Sequence, residues 1–587
     1  MNYNLNTIQG NKPEKQSTLG SLRSLIGHMV EEKRTLIMAA TAMVITAILT
    51  LIGPVLIGHT IDKYVVTGKY HGVLIFSGIL LIMYTISMLA GYVQTRLMGS
   101  VGQRMLFNLR NSVFTKIQEL PLDFFNQNKT GDLISRINND TEKINQFFSQ
   151  SLMQFIRFIL IMVGAGIFLL SINLPLGAAA LAPGILVWLF IRFVTPWVKR
   201  RNAASLKSTG LLSSEIQESL NNFKVIVAFN RRDYFSEKFS EANNDNYSKA
   251  VKAGVANNLF MPVFTFLSNM GQLIVVTLGI FMIASGNFSI GLLISFIAYV
   301  NSFYNPLRQL ANLWANFQIA LAAWDRIHLI LNLENNQPRM NASSHAGHNA
   351  LMEFQDVTFS YPNGTEVLHN INFRLEPGKT YAFVGPTGGG KTTTASLIAR
   401  LYDTIGGAVL LNGKDIRSFG AEERAEKIGF ILQEPILFSG TVRDNILYGN
   451  SRYQQLGNDE LGALFHETGL EKLLERFDDG LDTNVEVSGD AISLGQKQLI
   501  AFMRAVLRKP ELIILDEATA NIDTVTEKML DEILLKLPSS TTKVIIAHRL
   551  NTIANADEIY FVNSGNVIRA GSLDDAVKML MQGKMAS

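Results

Sequence analysis

Eight consecutive residues, Gly385-Pro386-Thr387-Gly388-Gly389-Gly390-Lys391-Thr392, carry the spacing Gly-x4-Gly-Lys-Ser/Thr of a P-loop. The chemistry such a run supports is phosphate binding. Glycines let the backbone turn its N–H groups inward around an oxyanion, and the helix that follows adds the positive end of its dipole. Lys391 is then expected to reach the β- and γ-phosphates of a nucleoside triphosphate, and the Thr392 hydroxyl to ligate Mg2+. Thr393 extends the predicted nucleotide contacts into the helix. A second candidate lies downstream, where the apolar run Leu512-Ile513-Ile514-Leu515 ends in Asp516-Glu517. An acid at a strand end beside a P-loop holds the metal, usually through water, and a carboxylate next to it can align and activate the attacking water. Asp516 is therefore the expected metal residue and Glu517 the expected catalytic one. The four apolar residues directly ahead argue against a pair of solvated loop charges.

These groups need a strand–turn–helix frame. Tyr381-Ala382-Phe383-Val384 reads as a buried strand entering the glycine turn, and Thr392 to Leu401 as the helix leaving it. From 351 to 587 the composition is that of an α/β domain. Ahead of it, residues 332–350 (NLENNQPRMNASSHAGHNA) form a polar linker. Its two histidines, His345 and His348, lack further residues to complete a metal ligand set, so solvated linker is the expectation.

The first half of the chain has another character. Six apolar runs fall near 35–58, 73–95, 153–172, 174–195, 261–284 and 288–307. Each has about the 20 residues needed to cross a hydrocarbon core as a helix. The short connections carry only Lys63 and Lys69 as basic residues. The long ones hold Arg104, Arg110, Lys116, Arg136, Lys199, Arg200, Arg201, Lys224, Arg231 and Arg232. The positive-inside rule then puts the long loops and both termini in the cytoplasm. The long loops are helix-friendly, and the spans are expected to continue into the cytoplasm, turning at Leu122 to Asn126 and near Phe223 to Phe235. Within residues 1–33, the stretch Leu19 to Lys33 has Leu22, Leu25, Ile26 and Met29 on one helical face and could lie along the membrane surface. The expected organisation is 1–33 N-terminal cytoplasmic segment, 34–331 six-helix all-α transmembrane domain, 332–350 linker and 351–587 nucleotide-binding domain.

Composition narrows the function. The chain has 587 residues, too many for one compact domain, a net charge of +3 and only 17% charged residues. Mean hydropathy is +0.18. A near-neutral balance gives no reason to expect nucleic acid as a partner. The absence of cysteine excludes disulfides, thiol catalysis and cysteine-based zinc sites. No cleaved signal peptide is expected, because the first 33 residues are polar and charged. Asn269, Gln272, Asn301, Asn305, Arg308 and Gln309 in the last two spans alternate with Phe264, Phe266, Phe296, Tyr299, Phe303 and Tyr304. Two readings fit them: a cavity for bulky amphiphilic cargo, or amides that hydrogen-bond one helix to another.

Taken together, the chain resembles ATP-binding cassette exporters of the half-transporter kind, over nearly its whole length. The resemblance implies further site residues. Tyr361 in Phe359-Ser360-Tyr361-Pro362 sits where the family stacks an aromatic ring on adenine. Gln433 in Ile431-Leu432-Gln433-Glu434-Pro435 matches the loop that senses Mg2+ and touches the membrane domain's coupling turns. Ser493, Gly495 and Gln496 fall on the signature motif, Asp523 ends the D-loop Ala520-Asn521-Ile522-Asp523, and His548 matches the switch histidine at the γ-phosphate. In the family the signature contacts ATP held by the opposite cassette, so ATP closes a cassette dimer and hydrolysis releases it. The implied function is ATP-driven export of an amphiphilic small molecule, drug-like or lipid, across the cytoplasmic membrane. A second reading is an ATP-binding regulator or channel-like protein without export, against which Glu517 and His548 argue. Two departures bear on the partner. The signature reads Ile492-Ser493-Leu494-Gly495-Gln496, with Leu494 where glycine is commonest, and Asn484 to Gly489 departs from the homodimers' Val-Gly-Glu-x-Gly. With Glu517, Gln433 and His548 intact, the chain resembles the hydrolysis-competent subunit of heterodimeric bacterial exporters, which favours a second, different half-transporter over a homodimer.

Overall fold

The computed structural model describes residues 3–10, 32–335, 337, 350–362, 364–486, 492–516, 523–546, 553, 555–571 and 573–585. Its contacts divide into two compact units: Asn11–Gln118 with Gly131–Asn332, and Met1–Gly10 with Glu119–Thr130 and Leu333–Ser587. The expected surface helix at 19–33 and the linker histidines lie outside the described residues, apart from the last two positions of that helix.

The first unit is helical. Among the described residues, six helices are long and apolar enough to cross a membrane: Lys33–Val65, Tyr70–Gln118, Thr130–Ile172, Leu174–Asn221, Arg232–Ala284 and Ile290–Leu331. Several run well past the 20 residues a bilayer requires, which matches the expected cytoplasmic continuations. Local chemistry sets their ends. The Asn173 side chain accepts from the Leu176 N–H at 3.0 Å and opens the fourth helix, with Pro175 in the first turn. Ser289 opens the sixth in the same way, at 3.2 Å from the Leu292 N–H. Between them Gly286, with φ +73°, ends the fifth helix in a left-handed turn. A short helix, Phe223–Ala228, joins the fourth and fifth, at the turn expected from the sequence. Far along the two helices from that turn, Asn202 and Asn257 exchange amide hydrogen bonds at 2.9 and 3.0 Å, and nearer to it Asn246 accepts from Ser208 and Thr209. These bonds add polar pairing between the two long helices.

The packing decides between the two readings of the polar residues in the last spans. Phe264, Phe296, Tyr299 and Tyr304 are buried together in one core. Tyr299 donates to the Leu51 carbonyl at 2.5 Å and Tyr304 to the Ala180 carbonyl at 2.9 Å. The Gln272 amide donates to Asn301 Oδ1 at 2.6 Å. For these residues the helix–helix role holds, since a buried hydroxyl or amide needs a partner in hydrocarbon. Phe266, Asn269, Asn305 and Gln309 are instead exposed.

At the base of this unit Asp140, 2% exposed, accepts from Arg326 Nε at 2.7 Å and Lys143 Nζ at 3.1 Å. Arg136, also 2% exposed, donates to Asp132 and to the Arg326 carbonyl. Removing one partner of a buried pair leaves the other charge desolvated, though Arg326 keeps about a third of its surface in water. Asp140→Ala is therefore expected to lower stability by about 2 kcal/mol, below the range for fully buried pairs. A thermal midpoint unchanged from the parent would show that the bridge contributes nothing.

The second unit carries the α/β architecture. Its strands run, in chain order, β1 (Met352–Ser360), β2 (Glu366–Leu375), β3 (Thr380–Val384), β4 (Gly406–Leu411), β5 (Lys414–Asp415), β6 (Ile428–Ile431), β7 (Gly440–Thr441), β8 (Asn484–Val485), β9 (Leu512–Asp516), β10 (Thr542–Ile546), β11 (Glu558–Asn563) and β12 (Asn566–Arg569). The main sheet has the order β12-β11-β3-β10-β9-β6, and a second sheet the order β2-β1-β4-β5. In the main sheet every pairing but β11–β12 is parallel. Parallel strands are covered on both faces, which explains why Leu512–Asp516 is buried at every position. The helix Leu494–Val506 lays Leu499, Ile500, Phe502, Met503 and Val506 against Ile513 and Leu515. Each such side chain contributes roughly 2 kcal/mol on burial, so the helix is anchored along its length while its first turn stays exposed.

Candidate functional site

The site is built at one edge of the parallel sheet. Phe383 of β3 pairs with Ile546 of β10, and Ile546 with Asp516 of β9. All three strands thus deliver their carboxyl ends to the same edge, the position at which open α/β sheets bind ligands. β3 releases the P-loop there, and the helix Lys391–Ile398 begins immediately after it. β6 ends at the same edge, its Ile431 pairing with Leu515, and Gln433 follows two residues later, exposed.

The loop's shape depends on glycine at two points. A Cβ at Gly385 would overlap the Val562 carbonyl oxygen of β11. Gly390, with φ +112°, sits in the left-handed region as the residue ahead of the helix. The loop is also tied to the β11–β12 hairpin, where the Gly565 N–H donates to the Gly389 carbonyl at 3.2 Å. Lys391 is 6% exposed, and its Nζ donates to the carbonyls of Gly385 at 2.8 Å and Pro386 at 3.0 Å. Its charge is thereby held over the loop, where an incoming phosphate competes with two carbonyls for it. Thr392 and Asp516 are brought together: Oγ1 lies 3.5 Å from Oδ1 of the carboxylate, which is 2% exposed. That separation is at the outer limit of a hydrogen bond.

Tyr361 stands beside the loop, its hydroxyl 3.0 Å from Thr393 Oγ1. Tyr402 packs edge-on against its ring at a centroid distance of 5.4 Å and also contacts Phe359. Burial pushes the Tyr402 phenol up. Its hydroxyl accepts from Asn126 Nδ2 at 2.8 Å. Asn126 belongs to the short helix Leu122–Gln127, the first of the two turns expected from the sequence. Sequence reasoning placed Asn126 in a turn but missed Tyr402 and the contact between them. No motif marks Tyr402, and the pair is 276 residues apart.

The signature residues form a separate feature. Ser493 caps the helix Leu494–Val506: its Oγ accepts from the Gln496 N–H at 3.2 Å, and Gln496 Oε1 accepts from the Ser493 N–H at 2.9 Å. Gln496 also donates to the Arg476 carbonyl. Capping uses the serine oxygen as an acceptor and leaves its proton to donate outward. Leu494 is 47% exposed in that first turn, with Gly495 half-buried beside it. Among the described residues the side chains of Ser493 and Gln496 bond within this turn and to Arg476, and do not join Lys391 or Thr392. Asp523 caps the helix Thr524–Lys536, accepting from the N–H groups of Val525 and Thr526. The Thr526 hydroxyl and N–H hold its carboxyl below the usual range. Glu517, Ala520 to Ile522 and His548 lie outside the described residues. Glu517 follows Asp516, and His548 comes two residues after Ile546.

Comparison with known proteins agrees with this architecture. The profile of the ABC transporter transmembrane region matches residues 36–307, and the ABC transporter profile matches residues 368–520. An uncharacterized ABC transporter ATP-binding protein of Bacillus subtilis, YfiC, is 34% identical over 568 residues, 97% of this chain and 94% of its own. A fatty acid ABC transporter ATP-binding/permease protein of Mycobacterium bovis is 33% identical over 84% of this chain and 77% of its own. An ATP-dependent lipid A-core flippase of Syntrophus aciditrophicus is 31% identical over 84% of this chain and 82% of its own. With six membrane-crossing helices joined to a P-loop α/β domain that binds ATP in the cytoplasm, the chain belongs to the ABC transporter family, as an exporter-type half-transporter whose ATPase drives transport.

Proposed function

We propose that this protein exports amphiphilic small molecules, drug-like or lipid, by alternating access driven by Mg2+-dependent ATP hydrolysis, and that it works with a second, different half-transporter. The observation that carries the nucleotide chemistry is the approach of Thr392 Oγ1 and the Asp516 carboxylate to 3.5 Å beneath the P-loop. These are hard oxygen donors, few in number, which suits Mg2+: it keeps several waters and takes the rest of its shell from phosphate. When bound, the ion would neutralise charge on the transferred phosphoryl group. Lys391 would leave the carbonyls of Gly385 and Pro386 for the β- and γ-phosphates, and the loop N–H groups from Pro386's neighbours onward would cradle them. Tyr361 would stack on the base. Glu517 would orient and deprotonate the attacking water, His548 would hold the γ-phosphate, and Gln433 would sense the metal.

Ser493, Gly495 and Gln496 would serve the partner's nucleotide. Their exposed helix start supports that role, since a helix N-terminus carries the positive end of the dipole and favours a phosphate. Leu494 in that turn, together with Glu517, Gln433 and His548 in this chain, favours unequal halves. The fatty acid and lipid A-core relatives support an amphiphilic cargo, and the exposed Asn269, Asn305 and Gln309 are the polar groups available to meet it. A protein that binds ATP only to regulate or gate would not require Glu517 and His548.

The test is uptake into inside-out membrane vesicles, with this chain expressed alone and together with a candidate second half-transporter. A lipophilic cationic dye and a fluorescent fatty acid are the probes. Export predicts accumulation that requires both ATP and Mg2+ and stops with a non-hydrolysable ATP analogue, for the pair more than for the single chain. ATP binding with no accumulation of either probe under any pairing would overturn the assignment in favour of the regulator or channel-like reading.

A further inference from the structure

Residues 3–5 occupy a place that no motif predicts. Tyr3 and Leu5 are both 0% exposed. The Tyr3 N–H donates to Gln127 Oε1 at 2.8 Å, and Asn128 Nδ2 donates to the Tyr3 carbonyl at 2.9 Å. Asn128 Oδ1 accepts from the Leu5 N–H at 3.1 Å. A single side-chain amide thus reads two backbone positions, as a neighbouring strand would. The Tyr3 ring meets Phe124 edge-on at 6.4 Å, and its hydroxyl donates to the Glu334 carbonyl at 2.9 Å. The short helix Leu122–Gln127 is therefore held on one side by residues 3–5 and on the other by the Asn126–Tyr402 bond. Beyond Tyr402 stand Tyr361 and Thr393. Gln337 Nε2 donates to the Leu401 carbonyl at 3.3 Å, so the segment that leaves the sixth span is pinned beside Tyr402 as well.

We propose that Tyr3 is a positioning residue for energy coupling: residues 3–5 strap the turn 122–128 onto the nucleotide-side aromatics, so that the state of the nucleotide is passed into the second and third spans. The inference rests on the ATP-driven alternating access proposed above. Its physical basis is that a six-residue helix has little stability by itself. A turn of that length transmits displacement only if it is clamped on both sides. Tyr402 supplies one clamp, and the strap supplies the other with three backbone or amide bonds, a buried ring and a buried hydroxyl that must keep its acceptor. The strap touches none of the groups assigned to phosphate or metal. Loosening it should leave hydrolysis in place and cut its mechanical consequence.

The experiment uses the full chain, with its partner if one is required, in inside-out vesicles. The sequence contains no cysteine, so Thr265→Cys creates a single labelling site at an exposed position of the fifth span. The readouts are phosphate release and the change in labelling rate by a membrane-impermeant maleimide on adding ATP and Mg2+. Tyr3→Ala is expected to keep hydrolysis within about 2-fold of the parent while the ATP-dependent change in labelling shrinks about 5-fold, within the range by which single residues alter coupling. Asn128→Ala removes both backbone bonds but keeps the Tyr3 ring, and is expected to act in the same direction. It decides the matter if Tyr3→Ala does not fold. Tyr3→Phe, which keeps the ring, is expected to restore most of the response. A full labelling response in the alanine variants overturns the strap and leaves the transport reading standing. A parent that hydrolyses ATP with no labelling change at all overturns alternating access, and the strap with it.

Discussion

Lys391→Ala is expected to lower ATP turnover by about 10^3-fold, the upper end of what loss of one preorganised electrostatic group costs. The size follows from where the lysine sits. It is nearly buried, and its ammonium is held by two loop carbonyls, so its charge is in position before the nucleotide arrives. That charge acts on the phosphoryl group as negative charge migrates toward the leaving oxygen, in a loop whose other donors are neutral N–H groups. Alanine leaves the fold intact, because the helix Lys391–Ile398 tolerates it and no packed volume is removed beyond the side chain's own stem. Both nucleotide affinity and hydrolysis should fall. Phosphate release measured across an ATP titration separates the two, and turnover within about 10-fold of the parent at saturation would remove Lys391 from the reaction.

Glu517→Gln is the second large effect, and it differs in kind. The amide has nearly the same volume and can still orient a water, but it cannot take the proton. Hydrolysis is expected to fall by about 10^2 to 10^4-fold, the usual contribution of a positioned general base, while ATP binding persists. Labelled ATP should therefore co-purify with the variant through a desalting column as the triphosphate. If the protein pairs with a different half-transporter, this outcome should appear only with that partner present, because the phosphate in this chain's loop needs the partner's signature turn. Normal turnover in the complete pair would assign the base to another residue.

Much of this was legible in the sequence, and the reason is locality. The P-loop, the strand that ends in Asp516 and the six spans each declare themselves within about 20 contiguous residues. The signature motif marks Ser493, and the structure adds that it caps a helix with the glutamine three positions on. What escaped is what joins distant segments. Tyr402 meets Asn126, and Tyr3 meets Glu334 331 positions away. Neither contact leaves a periodic trace, since a buried tyrosine looks the same in sequence whichever strand or turn it touches. The polar residues of the last spans show the same limit. Gln272 and Asn301 could equally have lined a cavity until packing turned them toward each other. Glu517 and His548 rest on motif alone; the strands ahead of them end at Asp516 and Ile546, which pair across β9 and β10.

The close approach of the P-loop to the β11–β12 hairpin has a consequence for how such cassettes can be recombined. Gly385 lies against the Val562 carbonyl, and Gly389 receives the Gly565 N–H. The curvature of the phosphate cradle is thus written partly in a turn about 175 residues further along the chain. A chimera that takes its loop from one transporter and its last strands from another would inherit two halves of a mould cast separately. The loop and the hairpin form one heritable unit, and a crossover point placed anywhere between them divides it.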